Sequence, residues 1–382
     1  MEYNEGKMNL TILIYSLASG GAERVVSILL KELSTSYNIT LVLMNDTIFY
    51  EIPESVKIVF LGNSNPYENG LIKLLKLPIY ALKYKKVLKD SDISLSFMNR
   101  PNYINVFSKL FGNKSKIIIS ERIAPSKEYP SNNFKDRISK ILIKFLYPKA
   151  NLVVPNAKGI ENDLIKYFKL KENIKVVHNP IDILRVLDNQ RQDTNFQFDN
   201  FSFITIGRFQ EQKNHKLLIN AIKDIDSNLY IIGDGELRNK LEKQIFDLGL
   251  QNKVFLLGRQ TNPYKYLAKA DCFVFGSNYE GFPNVLLEAL ACSLPVISTD
   301  CKSGPREILS PSSDIETQLK KDIEKVEYGL LTTVNDVASM TKAMNLIIED
   351  KNLRDNYKCK ALTRAKDFDK DKIIKEWINL LD

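Results

Sequence analysis

At 382 residues, with 44% hydrophobic and 26% charged side chains, the chain is long enough for two cores of roughly 150–200 residues each, and its composition excludes disordered, fibrous and disulfide-scaffold classes. No stretch approaches the roughly 20 consecutive apolar residues of a spanning helix, and the polar, acid-bearing start MEYNEGKMN argues against a secretory leader. Four cysteines without a CxxC pair (Cys272, Cys292, Cys301, Cys359) and only two histidines argue against a zinc site and point to a reducing cytoplasm, while the net charge of +8 is moderate and unevenly placed.

In chain order, Leu10–Tyr15 (LTILIY) is a near-continuous apolar run, the pattern of a buried parallel strand. Ser19-Gly20-Gly21 closes it, and Ala22–Leu33 carries apolar residues at helical spacing. Ile39–Met44 is the next strand, followed by helical Leu71–Leu88, strands Ile93–Phe97 and Lys116–Ser120, helical Phe134–Leu146 and strand Leu152–Pro155. Between Leu71 and Ala150 there are seventeen Lys/Arg against five Asp/Glu. Such a patch attracts phosphates, nucleic acid or acidic lipid heads, although a solvated lysine-rich surface accounts for it equally. No RNA- or DNA-binding motif accompanies it, so no nucleic-acid partner is expected. Within it, KLLKLPIYALKYKKVLK (Lys73–Lys89) interleaves cations with apolar residues and could lie on an anionic bilayer, or be a surface helix started afresh at Pro78.

The polar stretch Ile183–Asn200 reads as a linker or surface loop, after which the same grammar restarts. Strands are expected at Phe203–Ile206, Leu229–Ile232, Val254–Leu257, Cys272–Phe275 and Val296–Ser298. Helices are expected at Leu217–Lys223, Leu237–Leu248, Pro263–Lys269, Pro283–Ala291 and from Asp336 onward, where Trp377 lies in the last turns. The fold class is therefore α/β, two Rossmann-like doubly wound domains with a ligand-binding cleft between them. Their expected bounds are 1–190 and 191–360, with 361–382 a C-terminal helix packing back on the first domain.

Three constellations follow strands directly. In SNYEGFPNVLLEALACSLPVISTD (Ser277–Asp300), Gly281 permits close backbone approach and Pro283 opens a helix. The N–H groups near Asn284 and Val285 then make an anion site flanked by Glu280 and Glu288; alternatively Glu288 is an ordinary helix acid and Glu280 complements the dipole. In IGRFQEQKNH, Arg208 and Lys213 could neutralise a departing diphosphate, or be solvated loop cations. Gly20-Gly21 has the glycines of a phosphate turn without the G-x-G-x-x-G spacing, and a tight structural turn reads equally well. Asp90-Ser91-Asp92 has the letters of a metal-binding Asp-x-Asp but precedes its strand, so it reads as a polar cluster ending a helix.

Together and in this order, these pieces resemble glycosyltransferase family 4, the retaining transferases of GT-B architecture. The family's E-x(7)-E stands as Glu280 to Glu288, its G-R-x(4)-K as Gly207-Arg208 to Lys213, and its glycine turn as Gly20-Gly21. The passages YSLASGGAERVV, LVLMND, YEIPE, LKLPIYALKYKK and MNRPNYI are similar to the N-acetylgalactosaminyltransferases that extend undecaprenyl-diphosphate-linked glycans in Campylobacter-type N-glycosylation. The resemblance implies a UDP-N-acetylgalactosamine donor and an α-1,4 linkage. Arg208 and Lys213 would hold the diphosphate, Glu280 the sugar hydroxyls and Glu288 the ribose. Gly281, Phe282, Asn284 and Val285 would line the donor, Arg259 would border the base, and Gly20 and Gly21 would close from the other domain.

The family's N-domain histidine is missing, because His178 and His215 lie elsewhere. Asn99 and Arg100 stand in its region, and Glu121 could also face the cleft as an acceptor residue or be a surface acid paired with Arg122 or Lys127. The resemblance further implies a metal-independent reaction without a cofactor, at the inner face of the cytoplasmic membrane. A nucleotide-sugar epimerase or dehydrogenase would want a dinucleotide fingerprint or a Tyr/Lys set, and neither is found. A degenerate binder that holds nucleotide without turnover stays open because of the missing histidine.

Overall fold

The computed structural model describes residues 6–382 apart from 63, 66, 67, 132, 194, 195 and 197. It divides into two compact units, residues 1–180 with 371–382 and residues 181–370. The first unit runs β1 (Asn9–Ile14), α1 (Gly21–Leu33), β2 (Asn38–Leu43), β3 (Lys57–Phe60), α2 (Gly70–Leu75), α3 (Leu77–Val87), β4 (Ile93–Phe97), α4 (Asn99–Leu110), β5 (Lys116–Glu121), α5 (Pro125–Glu128), α6 (Phe134–Leu146), β6 (Leu152–Pro155) and α7 (Lys158–Phe168). Its described strands form one sheet in the order β3-β2-β1-β4-β5-β6, parallel at every pairing. The apolar strand runs are buried between helices, as parallel sheets require. Helix α1 presents Val25, Val26, Leu29, Leu30 and Leu33 to that core.

The second unit opens with α8 (Ile183–Gln190), then β7 (Ser202–Ile206), α9 (His215–Ala221), β8 (Asn228–Ile232), α10 (Arg238–Asp247), β9 (Val254–Gly258), α11 (Tyr264–Leu267), β10 (Cys272–Phe275), α12 (Asn284–Ala291), β11 (Val296–Thr299), α13 (Pro305–Leu309), β12 (Ile323–Val326), β13 (Gly329–Thr332), α14 (Val337–Glu349) and α15 (Lys351–Lys366). The sheet order is β12-β13-β11-β10-β7-β8-β9, with β12 antiparallel at the edge. Helix α16 (Lys370–Leu381) then returns to the first unit. Its Ile373, Trp377 and Leu381 join the first core, Trp377 lies against Phe97 at 6.0 Å, and Lys116 Nζ donates to Leu381 O at 2.9 Å.

The expected linker is the main correction. Residues 183–190 form α8, capped by Asp182 accepting from Arg185 N, and this helix packs on α11 and α12. Further on, Phe196 and Phe198 sit edge-on to the Tyr230 ring at 5.4 and 4.4 Å. Two aromatic anchors thus hold a stretch whose letters are mostly polar, and residues 194, 195 and 197 of it lie outside the described ones. The boundary accordingly falls at 180/181, ten residues before the expected one. The basic segment 71–88 is two helices, broken at Lys76 with Pro78 in the first turn of α3. Among the described residues no helix is long and apolar enough to cross a membrane.

Candidate active site

In the second unit the chain leaves β7 toward β8 and leaves β10 toward β11, so the order reverses between the neighbours β7 and β10. A doubly wound sheet binds ligands beyond the carboxyl ends of strands at such a point. The two loops that start there are laced together. Gln212 Nε2 donates to Tyr279 O at 2.9 Å, Asn278 N to Gln212 O at 2.8 Å, and Asn278 Nδ2 to Glu211 O at 2.9 Å. This lacing brings together two residues 67 positions apart: Lys213 Nζ lies 2.5 Å from Glu280 Oε1 and 5.4 Å from the centre of the Phe275 ring. Arg208 lies exposed in the same loop. Arg259 is exposed after Gly258, whose φ of +68° turns the chain at the end of β9.

Pro283, at φ −73°, sits just ahead of α12. Asn284 and Val285 occupy the first turn, where helix geometry aims N–H groups and the positive dipole end outward. Glu288 is 3% exposed on α12, so it is a buried acid and no ordinary surface one. Phe282 corrects its expected role. Its ring is buried and stacks edge-on to Phe368 at 5.1 Å, so its side chain belongs to the core and only its backbone is available to the loop.

Sequence reasoning missed two supports of this site. A Cβ on Gly233 (φ +148°) would fall 1.9 Å from Gly207 O, and one on Gly235 would fall 2.8 Å from Phe209 N. The Gly-Asp-Gly turn after β8 therefore seats the loop that carries Arg208, and G-x-G after an apolar run was its signal. Likewise Gly304 (φ +88°) lies against Gly281 O, where a Cβ would approach to 2.6 Å, and Ser303 Oγ donates to Gly281 O at 3.0 Å. That segment is anchored by the buried Arg306–Asp300 pair at 2.7 Å. His215 is enclosed, its Nδ1 has no partner, and burial followed by Lys213 pushes its pKa down to about 3, so it is a neutral core residue.

In the first unit the order reverses between β1 and β4. Gly20, extended at φ −111°, precedes α1 and accepts from Tyr50 OH at 3.2 Å, while Gly21 begins the helix. Asn99 and Arg100 open α4 immediately after Met98, whose φ is +73°. Arg100 Nη1 donates to Ser64 Oγ at 2.7 Å and its guanidinium covers the Tyr80 ring. Its Nε and Nη2 are buried without partners, and burial pushes this guanidinium's pKa down.

Glu121 does not reach solvent. It is 1% exposed, accepts from Tyr147 OH and from Arg122 N at 2.9 Å, and is pushed up to about 8 by burial and then by Glu128. It is therefore a buried acid and no surface acid paired with Arg122 or Lys127. The Arg122 guanidinium turns instead to Asn179 and Ser120 Oγ. Asp90–Asp92 is structural: Asp92 Oδ2 accepts from Asn9 N at 2.7 Å, at the amino ends of the strands. Among the described residues no group of three or more His, Cys, Asp or Glu gathers as a metal site.

Residues 187–364 match the family described as Glycosyl transferases group 1. The whole chain is 44% identical, over 97% of its length and 99% of the relative's, to the Campylobacter jejuni N-acetylgalactosamine-N,N'-diacetylbacillosaminyl-diphospho-undecaprenol 4-alpha-N-acetylgalactosaminyltransferase. It is 28% identical, over 98% of both chains, to the GalNAc-alpha-(1->4)-GalNAc-alpha-(1->3)-diNAcBac-PP-undecaprenol alpha-1,4-N-acetyl-D-galactosaminyltransferase of the same organism. The fold matches that of Anabaena HepE, solved with UDP and glucose, at a TM-score of 0.79 and 20% identity over 98% of this chain and 99% of that one.

Proposed function

The chain belongs to the Glycosyl transferases group 1 family and is a glycosyltransferase of GT-B architecture; we propose that it moves N-acetylgalactosamine from UDP-N-acetylgalactosamine, in α-1,4 linkage, onto an undecaprenyl-diphosphate-linked glycan. The 44% identity to the Campylobacter jejuni enzyme along nearly the full chain supports donor and acceptor. The geometric observation that carries the chemistry is the Lys213–Glu280 pair at the β7/β10 switch point. On donor binding, Lys213 and Arg208 take the diphosphate charge, and the first turn of α12, at Asn284 and Val285, takes the distal phosphate. Glu280 is released to the sugar hydroxyls, Glu288 serves the ribose and Arg259 borders the base.

The bond from the anomeric carbon to the phosphate oxygen breaks as the acceptor oxygen bonds to that carbon. The acceptor proton passes to the departing phosphate oxygen on the same face, so configuration is retained. Charge stabilisation by fixed cations and N–H groups is the main protein contribution, and the reaction runs without metal or cofactor. Asn99 and Arg100 meet the acceptor, and Glu121 acts on it only through Tyr147 and Asn99.

A lipid-linked acceptor would be met at the cytoplasmic membrane surface, and the first unit carries a surface that supports this reading. Leu75, Ile79 and Leu82 on α2 and α3, and Phe134, Ile141 and Phe145 on α6, are all exposed among lysines. The starts of α2 and α6 lie close together, since the Lys135 side chain lies against Gly70. An apolar, cationic face of this kind suits an anionic bilayer.

The test offers purified chain a panel of UDP-sugars with the lipid-linked glycan in the presence of chelator. Transfer of N-acetylgalactosamine that is lost in Glu280→Ala and Lys213→Ala supports the proposal. Transfer of another sugar discards this donor, and dependence on added metal discards the metal-free route.

A further inference from the structure

Beyond Glu121, a second carboxyl lies within the same polar cluster at the carboxyl ends of β4 and β5. Asn99 Nδ2 donates to Glu128 Oε2 at 2.7 Å and to Tyr129 OH at 2.6 Å. With both amide protons used there, Asn99 Oδ1 faces Tyr147 OH at 3.2 Å, and Tyr147 OH also contacts Glu121 Oε2. The third neighbour of that hydroxyl, Asn102 Nδ2 at 3.4 Å, is itself a donor. Tyr147 has one proton for two acceptor oxygens. With Glu121 ionised, Tyr147 donates to it and Asn99 Oδ1 lacks a donor; with Glu121 protonated, Glu121 donates to Tyr147, which gives its own proton to Asn99, and every member then has a partner.

We propose that Glu121, Tyr147, Asn99 and Glu128 form a relay that holds one proton at its enclosed end, and that Glu128, at its half-buried end, accepts a hydrogen bond from a hydroxyl of the sugar acceptor. Glu128 is a binding residue and Glu121 a positioning residue. This rests on the transferase reading above and adds to it a ligand for the acceptor. Burial of Glu121 and then Glu128 favour a retained proton, against the hydrogen bonds of Tyr147 and of the Arg122 and Ile123 backbone, which favour the ionised Glu121. Tyr103 and Tyr147 are phenols raised by burial first, and so is Tyr129. Glu128 is raised by burial, with Lys135 pulling the other way and Asp136 adding to the rise. The Arg122 guanidinium donates to Asn179 and Ser120 Oγ, although Glu121 still acts on its charge. When Glu121 loses its proton, Tyr147 must turn its own to that carboxylate. Asn99 Oδ1 then loses its donor, and the amide that seats Glu128 is freed.

The test follows the protonated-carboxyl stretch of the full chain by infrared difference spectroscopy from pH 6 to 10, alongside kcat and KM for the lipid-linked glycan and for the UDP-sugar. The wild type should show a carboxyl band that disappears near pH 8 and that Glu121→Gln lacks. Its kcat/KM for acceptor should fall about tenfold between pH 7 and 9, as titration of one group at about 8 requires; in Glu121→Gln the fall should be absent. Glu128→Gln exchanges a charge-assisted bond for a neutral one and should raise acceptor KM about tenfold, with donor KM and thermal midpoint unchanged. The relay is overturned if no carboxyl band titrates near neutral pH, and the role of Glu128 is overturned if its Gln variant keeps the wild-type acceptor KM or shifts both KM values together. If the wild type transfers nothing, the donor and acceptor reading fails by itself. The infrared titration and equilibrium binding of the glycan to wild type and Glu128→Gln then still decide the relay.

Discussion

Leu75 offers a direct test of the membrane face, because the perturbation leaves the fold untouched. It ends α2 and is 78% exposed. Fully burying a leucine contributes about 1.5–3 kcal/mol, so immersing an exposed fraction of 78% is worth about 1.2–2.3 kcal/mol on the same scale. A glutamate in its place adds repulsion from anionic lipid of about 1 kcal/mol. The sum, about 2–3 kcal/mol, predicts a loss of roughly 30- to 150-fold in vesicle partitioning for Leu75→Glu. Its effect on folding stability should stay within about 0.5 kcal/mol. The assay is sedimentation with vesicles of graded anionic lipid content, with the thermal midpoint as the folding control. Phe246→Glu, equally conspicuous on α10 at 68% exposure but in the other unit, should bind as wild type does. Wild-type partitioning by Leu75→Glu, or the same loss in Phe246→Glu, would refute the reasoning.

Other consequences follow from particular contacts. Lys213→Met and Glu280→Gln should each lower kcat by about 10²–10³-fold, the range for removing one group that stabilises developing charge, as read in single-turnover transfer. Gly233→Ala forces a Cβ to within 1.9 Å of Gly207 O at a φ of +148°. It should cost about 3 kcal/mol, lower the thermal midpoint of the second unit by roughly 6–12 °C, and weaken UDP binding through the displaced Arg208 loop. Trp377→Ala, which empties a fully buried site beside Phe97, should cost the first unit about 3–5 kcal/mol in denaturant unfolding. Glu121 retains in the native state a proton that an unfolded carboxyl, at 4.5, releases. Stability should therefore fall as pH rises from 4.5 toward 8, and Glu121→Gln should abolish that part of the slope in melts taken across the range.

The strands were legible because parallel strands covered on both faces are written as unbroken apolar runs: Ile93–Phe97, Leu152–Pro155 and Cys272–Phe275 have the expected bounds. Edge strands obey no such rule. β3 is four residues with an exposed pattern, β12 is antiparallel and half-exposed, and neither stands out from its surroundings. Helix α4 was hidden for a different reason. Its buried face carries Asn102 and Asn105, which bond to Ser96, Ser120 O and Ser94, so the polar letters that mark a helix surface elsewhere face inward here. Helix α8 was hidden by a neighbouring stretch whose few aromatics are its anchors.

The candidate residues of the two units differ in legibility for the same physical reason. Lys213 and Glu280 could be singled out in sequence because each lies in a loop leaving an apolar strand. Their meeting follows from topology, since β7 and β10 are neighbours at the point where the strand order reverses. The first unit repeats that geometry at β1 and β4, and Gly20, Asn99 and Arg100 were visible there by the same rule. Glu121 was named there too, but its partners Glu128 and Tyr147 were not. Glu128 comes from α5 and Tyr147 from the turn after α6, and no local pattern links a glutamate, an asparagine and a tyrosine spread over nearly fifty positions. What joins them is a hydrogen-bond count that closes only in three dimensions. A proton placed by that count is a property of the folded chain alone, which is why its loss with rising pH should disturb acceptor binding while the donor loops, in the other unit, keep their Lys213–Glu280 pair.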